Sequence, residues 1–329
     1  DIMAGDHSPK EDVNGVTSYL NKTKNSKIFL IGSKSELNKS KSTLNNYKDR
    51  IQLVHSTEIV DIKDRPSRLF KSKPNSSMIL GINLLKEQKI DAFISSGNTG
   101  CLLASSLLIL GKIENIKRPA LAAYIPNEDG GFVICDVGAN SNNKPSHLLQ
   151  FAQMSSAYIK YLENVDNPKI SLLNIGSEEN KGNDLMIESY RLLKDNIDNF
   201  KGNIEARYLL DNKTDIVVCD GFTGNIVLKL FEGTVNKMIN WTKKSIDSHS
   251  ISKLAKPMLY PVFQDIKKSY DYEEHGGTPI LGVNGIVIKC HGSSKSKAIE
   301  NGIFKAQKCI ERNFLIKLKE SISTLIVNE

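Results

Sequence analysis

DAFISSGNTG at 91–100 is an apolar run that ends in a turn of Gly, Asn and Thr and leads into a helix-like stretch. The same order recurs as GFVICDVGAN at 131–140, KISLLNIGSEENKGN at 169–183, DIVVCDGFTGN at 215–225 and GIVIKCHGSS at 285–294. Each apolar run is continuous rather than alternating, which predicts a strand buried on both faces. Further strands are expected at 27–31 (KIFLI), 51–54 (IQLV) and 119–125 (PALAAYI). Helical stretches are expected at 8–20, 35–46, 76–88, 99–110, 145–163, 182–195, 223–246 and 294–319. Strand alternating with helix predicts a single α/β domain over 1–329, a mainly parallel sheet with helices on both faces. The sheet pattern pauses after 226, and 226–270 reads as a helical insertion. The chain opens on the turn-like DIMAGDH, so a first strand is expected upstream of residue 1.

The 329 residues are 40% hydrophobic and 25% charged, enough for a large core. No apolar stretch approaches the ~20 residues of a spanning helix. The net charge of +7 favours an acidic partner, an anionic substrate or an anionic membrane surface. It does not point to nucleic acid, because aromatics are 7% and no nucleic-acid motif occurs. The five cysteines, at 101, 135, 219, 290 and 309, form no C-x-x-C pair and no zinc spacing. They read as reduced thiols of a cytosolic protein, with Cys135 and Cys219 as inert core residues. G-x-S-x-G, Walker A and G-x-G-x-x-G are all absent. A covalent nucleophile and a nucleotide cofactor both lose support.

The strand-end turns carry the residues suited to chemistry. Ligands of open α/β sheets bind at such ends, and a Gly-rich turn that opens a helix leaves backbone N–H groups free for an anion. Gly97, Asn98, Thr99 and Gly100 form one such turn. Asp136 and Asn140 form another, followed by Lys144 at a helix start; a cap or turn role is the plainer reading of Asp136. Asn174, Gly176 and Glu178 form a third, where Glu178 also suits a helix dipole. Lys181 opposes that dipole, and a bound anion would explain it. Asp220 and Asn225 flank a fourth, with Asn225 a suitable donor to an oxygen that gains charge. His291 and Ser293 follow the last strand, as acid, anion ligand or structural residues. Asp6 and His7 lie in a loop near the start. Arg65, Arg68, Lys71 and Lys73 form a basic cluster that suits an acidic partner or a solvated face. Ile251, Leu254, Ala255, Met258, Leu259, Val262, Phe263 and Ile266 make an amphipathic stripe, which suits a membrane interface, a dimer contact or a core contact.

Taken in order, GNTG at 97–100, DVGAN at 136–140, KPSHLLQFA at 144–152, LLNIGSEENKGN at 172–183, DGFTGN at 220–225, GGTPILGVNG at 276–285 and HGSS at 291–294 resemble the PlsX family of phosphate acyltransferases. The resemblance covers essentially the whole chain. It implies an αβα sandwich of the isopropylmalate dehydrogenase and phosphate acetyltransferase kind. It also implies transfer of a long-chain acyl group from acyl carrier protein to inorganic phosphate, with no cofactor and no metal. The acyl phosphate would pass to a glycerol-3-phosphate acyltransferase. A cytoplasmic homodimer, peripheral on the inner membrane face through 251–266, is further implied. On this reading Lys181 and Asn225 are catalytic, and the remaining turn residues build a phosphate pocket. The family's DAMGGDH stands here as DIMAGDH, with Ala4 in place of a Gly, and a positive φ there would strain Ala4. The rival readings are an acyl-CoA donor, a metal-dependent hydroxyacid dehydrogenase using Asp136 and Asp220, or a non-catalytic membrane scaffold for lipid enzymes.

Overall fold

The computed structural model describes residues 1–329 except 128–129, 212, 249–257, 260, 263–264, 266–269, 271–275 and 324–329. The stripe read at 251–266 therefore lies mostly outside the described residues.

Strands β1 (Ile28–Gly32) and β2 (Ile51–His55) form a parallel pair. The other eight are β3 (Ala92–Ser95), β4 (Ala120–Asn127), β5 (Gly130–Cys135), β6 (Ile170–Asn174), β7 (Phe200–Glu205), β8 (Ile216–Val218), β9 (Thr278–Leu281) and β10 (Ile286–Lys289). They form one sheet in the order β3-β10-β9-β4-β5-β8-β6-β7. The sequence pattern misses β7 and β9. Parallel pairing holds for β3 with β10, and for β5, β8, β6 and β7 in turn. Antiparallel β9 and the β4–β5 hairpin join these two blocks. The blocks therefore run in opposite directions.

The helices are α1 (Lys10–Lys22), α2 (Lys34–Lys39), α3 (Lys41–Leu44), α4 (Leu69–Ser72), α5 (Ser77–Lys86), α6 (Thr99–Ile109), α7 (Pro145–Tyr158), α8 (Asp184–Asn196), α9 (Gly221–Ser248), α10 (Ser296–Glu311) and α11 (Phe314–Ser323). Alternate residues of each strand feed opposite faces of the sheet. On one face Val133 and Val218 pack under Phe151, Met154, Leu193 and Leu318 of α7, α8 and α11. On the other, Phe93, Ile134 and Val217 pack under Met78, Ile82 and Leu102 of α5 and α6. A third cluster joins Val16 and Tyr19 of α1 to Ile299 and Ile303 of α10, over Leu30 and Ile288. Burial of each such side chain stabilises the fold by about 1.5–3 kcal/mol. All five cysteines are free and buried.

The first residues tie the two sheets together. The Ile2 amide donates to the Ile31 carbonyl at 3.1 Å, and the Asp1 amino group donates to the Ile94 carbonyl at 3.1 Å. Ala4, in the turn that follows, is not among the residues with positive φ, so its methyl group is unstrained.

Candidate active site

A cleft of about 540 Å³ opens where β9 parts from β4. These two strands pair only at Ala120 with Leu281 and Leu121 with Ile280. Beyond that point Ala123 and Tyr124 of β4 and Thr278 of β9 line the gap. Turns from both blocks of the sheet reach it. Gly97, Asn98 and Thr99 follow β3, Gly138 follows β5, Asn225 lies on α9 after β8, and His291 follows β10. Asp6 enters from the amino-terminal loop. The turn after β6 is not part of the lining, since β6 lies beyond β8 in the sheet.

Local chemistry explains the turns. Asn98 caps α6, its Oδ1 accepting from the Cys101 amide at 3.1 Å while its Nδ2 donates to the Ile62 carbonyl at 2.8 Å. Asp220 caps α9: Oδ1 accepts from the amides of Phe222 and Thr223, each at 3.0 Å, and Oδ2 from the Thr223 hydroxyl at 2.6 Å. The positive ends of two helix dipoles thus face the region of the cleft. Gly224 lets α9 lie against the 136–140 turn, because a Cβ there would overlap the Asp136 carbonyl. That close approach sets Asn225 beside Gly138.

Asp136 is fully buried and does not line the cleft. Its Oδ1 accepts from the amides of Leu121 and Ala139, each at 3.0 Å. Its Oδ2 accepts from the Asn140 amide at 2.8 Å and the Asn140 Nδ2 at 2.9 Å. Burial pushes its pKa up, and these hydrogen bonds oppose the push. Asn140 also donates to the Pro119 carbonyl at 2.7 Å. The pair holds the turn in shape. Asn174 does similar work in its own turn, donating to the Lys181 carbonyl at 3.0 Å. Lys181 is about half exposed and stands 3.8 Å from the exposed Glu178 carboxylate. Gly176, Lys181, Glu178, Gly100, Ser293, His7 and Lys144 do not line the cleft. Lys144 instead caps α7 with His147, whose Nδ1 accepts from the Lys144 amide at 3.2 Å.

The electrostatics of the cleft come largely from residues the turn patterns do not single out. Lys229, Lys289 and Lys305 line it, against the carboxylates of Asp6 and Glu232. Desolvation holds Lys289 and Lys305 each down to about 8. Glu232 is raised by desolvation. His291 is lowered, first by desolvation and next by the Lys289 ammonium. Its Nδ1 is 2.7 Å from the Ser293 hydroxyl. Sequence could find His291 after the last strand, but Lys289 belongs to the strand itself and Lys305 lies inside a helix. Among the described residues, no three His, Cys, Asp or Glu side chains converge to hold a metal ion.

The fold is that of the phosphotransacylases. It superposes on EutD phosphotransacetylase from Staphylococcus aureus with a TM-score of 0.55 at 13% identity, covering 96% of this chain and 93% of that one. A branched-chain phosphotransacylase from Enterococcus faecalis V583 gives 0.55 at 12% identity, covering 94% and 98%. Identities this low show the fold alone. Sequence shows more. Residues 1–317 match the family model described as fatty acid synthesis protein. A phosphate acyltransferase from Caldicellulosiruptor saccharolyticus is 44% identical over 327 residues, 98% of this chain and 97% of that protein. One from Clostridium perfringens (strain ATCC 13124) is 41% identical over 324 residues, 98% and 96%. The chain therefore belongs to the fatty acid synthesis protein family, PlsX, and is an acyltransferase.

Proposed function

We propose that the protein moves a long-chain acyl group from acyl carrier protein to inorganic phosphate. A phosphate oxygen attacks the thioester carbon, the carbonyl oxygen becomes anionic, and the carbon–sulfur bond breaks. Acyl phosphate and the free carrier thiol result. Phosphate is already a nucleophile, so the enzyme's task is to position it and to stabilise the oxyanion. The observation that carries this reading is the lining of the cleft. Three lysines, His291 and the opening of α6 outweigh two carboxylates there, which suits a multiply charged anion.

Asn225 is the proposed oxyanion donor. Gly97, Asn98, Thr99 and His291, with Ser293 behind it, are the proposed phosphate contacts. Asp136, Asn140, Asn174 and Asp220 act through the turns they hold. Lys181 is proposed to meet the developing charge of the phosphate, which requires the 174–183 turn to carry its side chain over the cleft. Arg65, Arg68 and Lys71 are exposed close to Ile62, which lines the cleft, so an acidic carrier would meet them at its mouth. Lys73 is less available, being held by Asp64 at 2.5 Å. Phe222, Ile226, Leu230, Met238 and Trp241 are exposed along α9, which suits a second copy of the chain. Among the described residues no helix is long and apolar enough to cross a membrane. Contact with the membrane face would be peripheral, and a glycerol-3-phosphate acyltransferase would consume the product.

The test is formation of acyl phosphate from labelled phosphate, with palmitoyl-carrier protein and palmitoyl-CoA compared as donors. Product from the carrier donor alone is expected, and equal use of CoA would shift the donor assignment. Asn225→Ala should lower turnover by ~10²–10³-fold. A loss below about threefold in both Asn225→Ala and Lys181→Ala would sink those two roles.

A further inference from the structure

Lys289 is a desolvated cation of the cleft, and Asp6 acts on it without forming an ion pair. It closes β10, opposite Ser95 of β3 and Thr278 of β9, with its side chain half-buried in the cleft. Its ammonium donates to the carbonyl of Ser96 at 3.3 Å and to that of Cys290. Among the described residues, no carboxylate lies within ion-pair distance of it. Some other lysines do form such pairs, among them Lys73 with Asp64 at 2.5 Å and Lys194 with Glu179 at 2.7 Å. The charged and titratable groups around Lys289 are Cys290 and His291 on its own segment, Asp6 from the amino-terminal loop, Lys229 and Glu232 from α9, and Lys305 from α10. Among the described residues Lys305 likewise forms no ion pair, and Glu163, the carboxylate that acts on it, is held by Lys308 at 2.8 Å. A desolvated cation without a counter-charge is unfavourable, and an anion in the cleft would relieve it.

We propose that Lys289 is a catalytic residue that holds the attacking phosphate and relays its proton to the departing thiolate. The second half rests on the thioester reading above; the first does not. The protons balance as follows. Hydrogen phosphate dianion attacks the carbonyl carbon, and the carbon–sulfur bond breaks to leave a thiolate. The Lys289 ammonium gives that sulfur a proton and becomes a neutral amine. The acyl phosphate, still carrying one proton on its phosphoryl oxygen, returns it to the amine. Net, the phosphate proton ends on sulfur and Lys289 is regenerated. Burial tunes the residue for this exchange: its pKa of about 8 lies close to the ordinary thiol value of ~8.5. Efficient relay needs such a match.

Two variants and two readouts test this. Inorganic phosphate titrated calorimetrically into Lys289→Met should bind ~10-fold or more weakly than into the unsubstituted protein. Lys289→Arg keeps the charge but cannot release a proton at working pH. It should hold the KM for phosphate within about threefold while kcat falls ~10²-fold, and the alkaline limb of kcat should flatten. A folded Lys289→Met that binds phosphate as tightly as the unsubstituted protein overturns the binding role. A Lys289→Arg that keeps full kcat overturns the relay. If the unsubstituted protein makes no acyl phosphate from any thioester, the donor reading fails, and the phosphate titration still decides the binding role.

Discussion

Asp136 and Lys289 are two desolvated charges at strand ends of one sheet, and they are treated in opposite ways. Asp136 is fully buried, and four donors converge on its two oxygens. Lys289 is half-buried, makes two bonds to backbone carbonyls and has no carboxylate within ion-pair distance among the described residues. A satisfied charge fixes a shape. One without an ion pair, open to a cleft, favours an anion beside it. Desolvation alone therefore says little about function, and the partners decide.

The sharpest way to break this contrast is Asp136→Ala. It strands two buried backbone amides, those of Leu121 and Asn140, at about 1–3 kcal/mol each, and the part-buried amide of Ala139. A loss of about 3 kcal/mol or more is expected from urea unfolding, and a loss below about 1 kcal/mol would show the turn to be held by something else. Gly224→Ala attacks the same turn from the helix side, where the new methyl overlaps the Asp136 carbonyl. It should cost about 1–3 kcal/mol and lower turnover too, since Asn225 must shift with the start of α9. Unchanged activity would mean that Asn225 needs no close placement.

Lys289→Met should behave in the opposite sense. The folded pKa of Lys289 lies at about 8, below its ordinary value of 10.5, so the unfolded chain holds its proton more tightly between those pH values. Its contribution to stability therefore rises from pH 8 to 10.5 and is least favourable below that window. The Met variant should lack this rise, and should match or exceed the unsubstituted protein at pH 7. Parallel melting temperatures for the two proteins across the window would remove the unpaired cation from the account. The smallest expected effect is the control, Gly233→Ala on α9. Among the described residues nothing outside its own turn of helix lies within 4 Å of the new methyl, so a gain of about 0.8–1 kcal/mol from helix propensity is expected. A loss there would mean that the face of α9 is covered in solution.

Much of the fold was legible because burial leaves a mark on composition. The runs that became β6 and β8 are apolar at nearly every residue, and every residue of both is buried. The helix starts were legible to within about two residues, and the structure shows Asn98, Asn183 and Asp220 capping α6, α8 and α9. The two missed strands lack those marks. Strand β7 is mostly half-exposed and carries Gly202 at φ +87°. Strand β9 has only four residues, and one of them is Pro279, which cannot donate to a ladder. Yet β9 separates the two parallel blocks, and its departure from β4 opens the cleft.

The site divides in the same way. Local sequence determined which turns carry Gly, Asn and Asp, because caps and tight turns are made by neighbours in the chain. Only the tertiary structure decided which of those turns meet. It brought Asp6, Gly97–Thr99, Asn225 and His291 together and left Lys181 and Glu178 on another turn. It also made Lys289 and Lys305 unusual, although Lys289 lies in the apolar run of 285–294 rather than in its turn and Lys305 lies in no such pattern. Their character comes from desolvation and, among the described residues, from carboxylates that act on them without forming an ion pair, and both are set by residues far away along the chain.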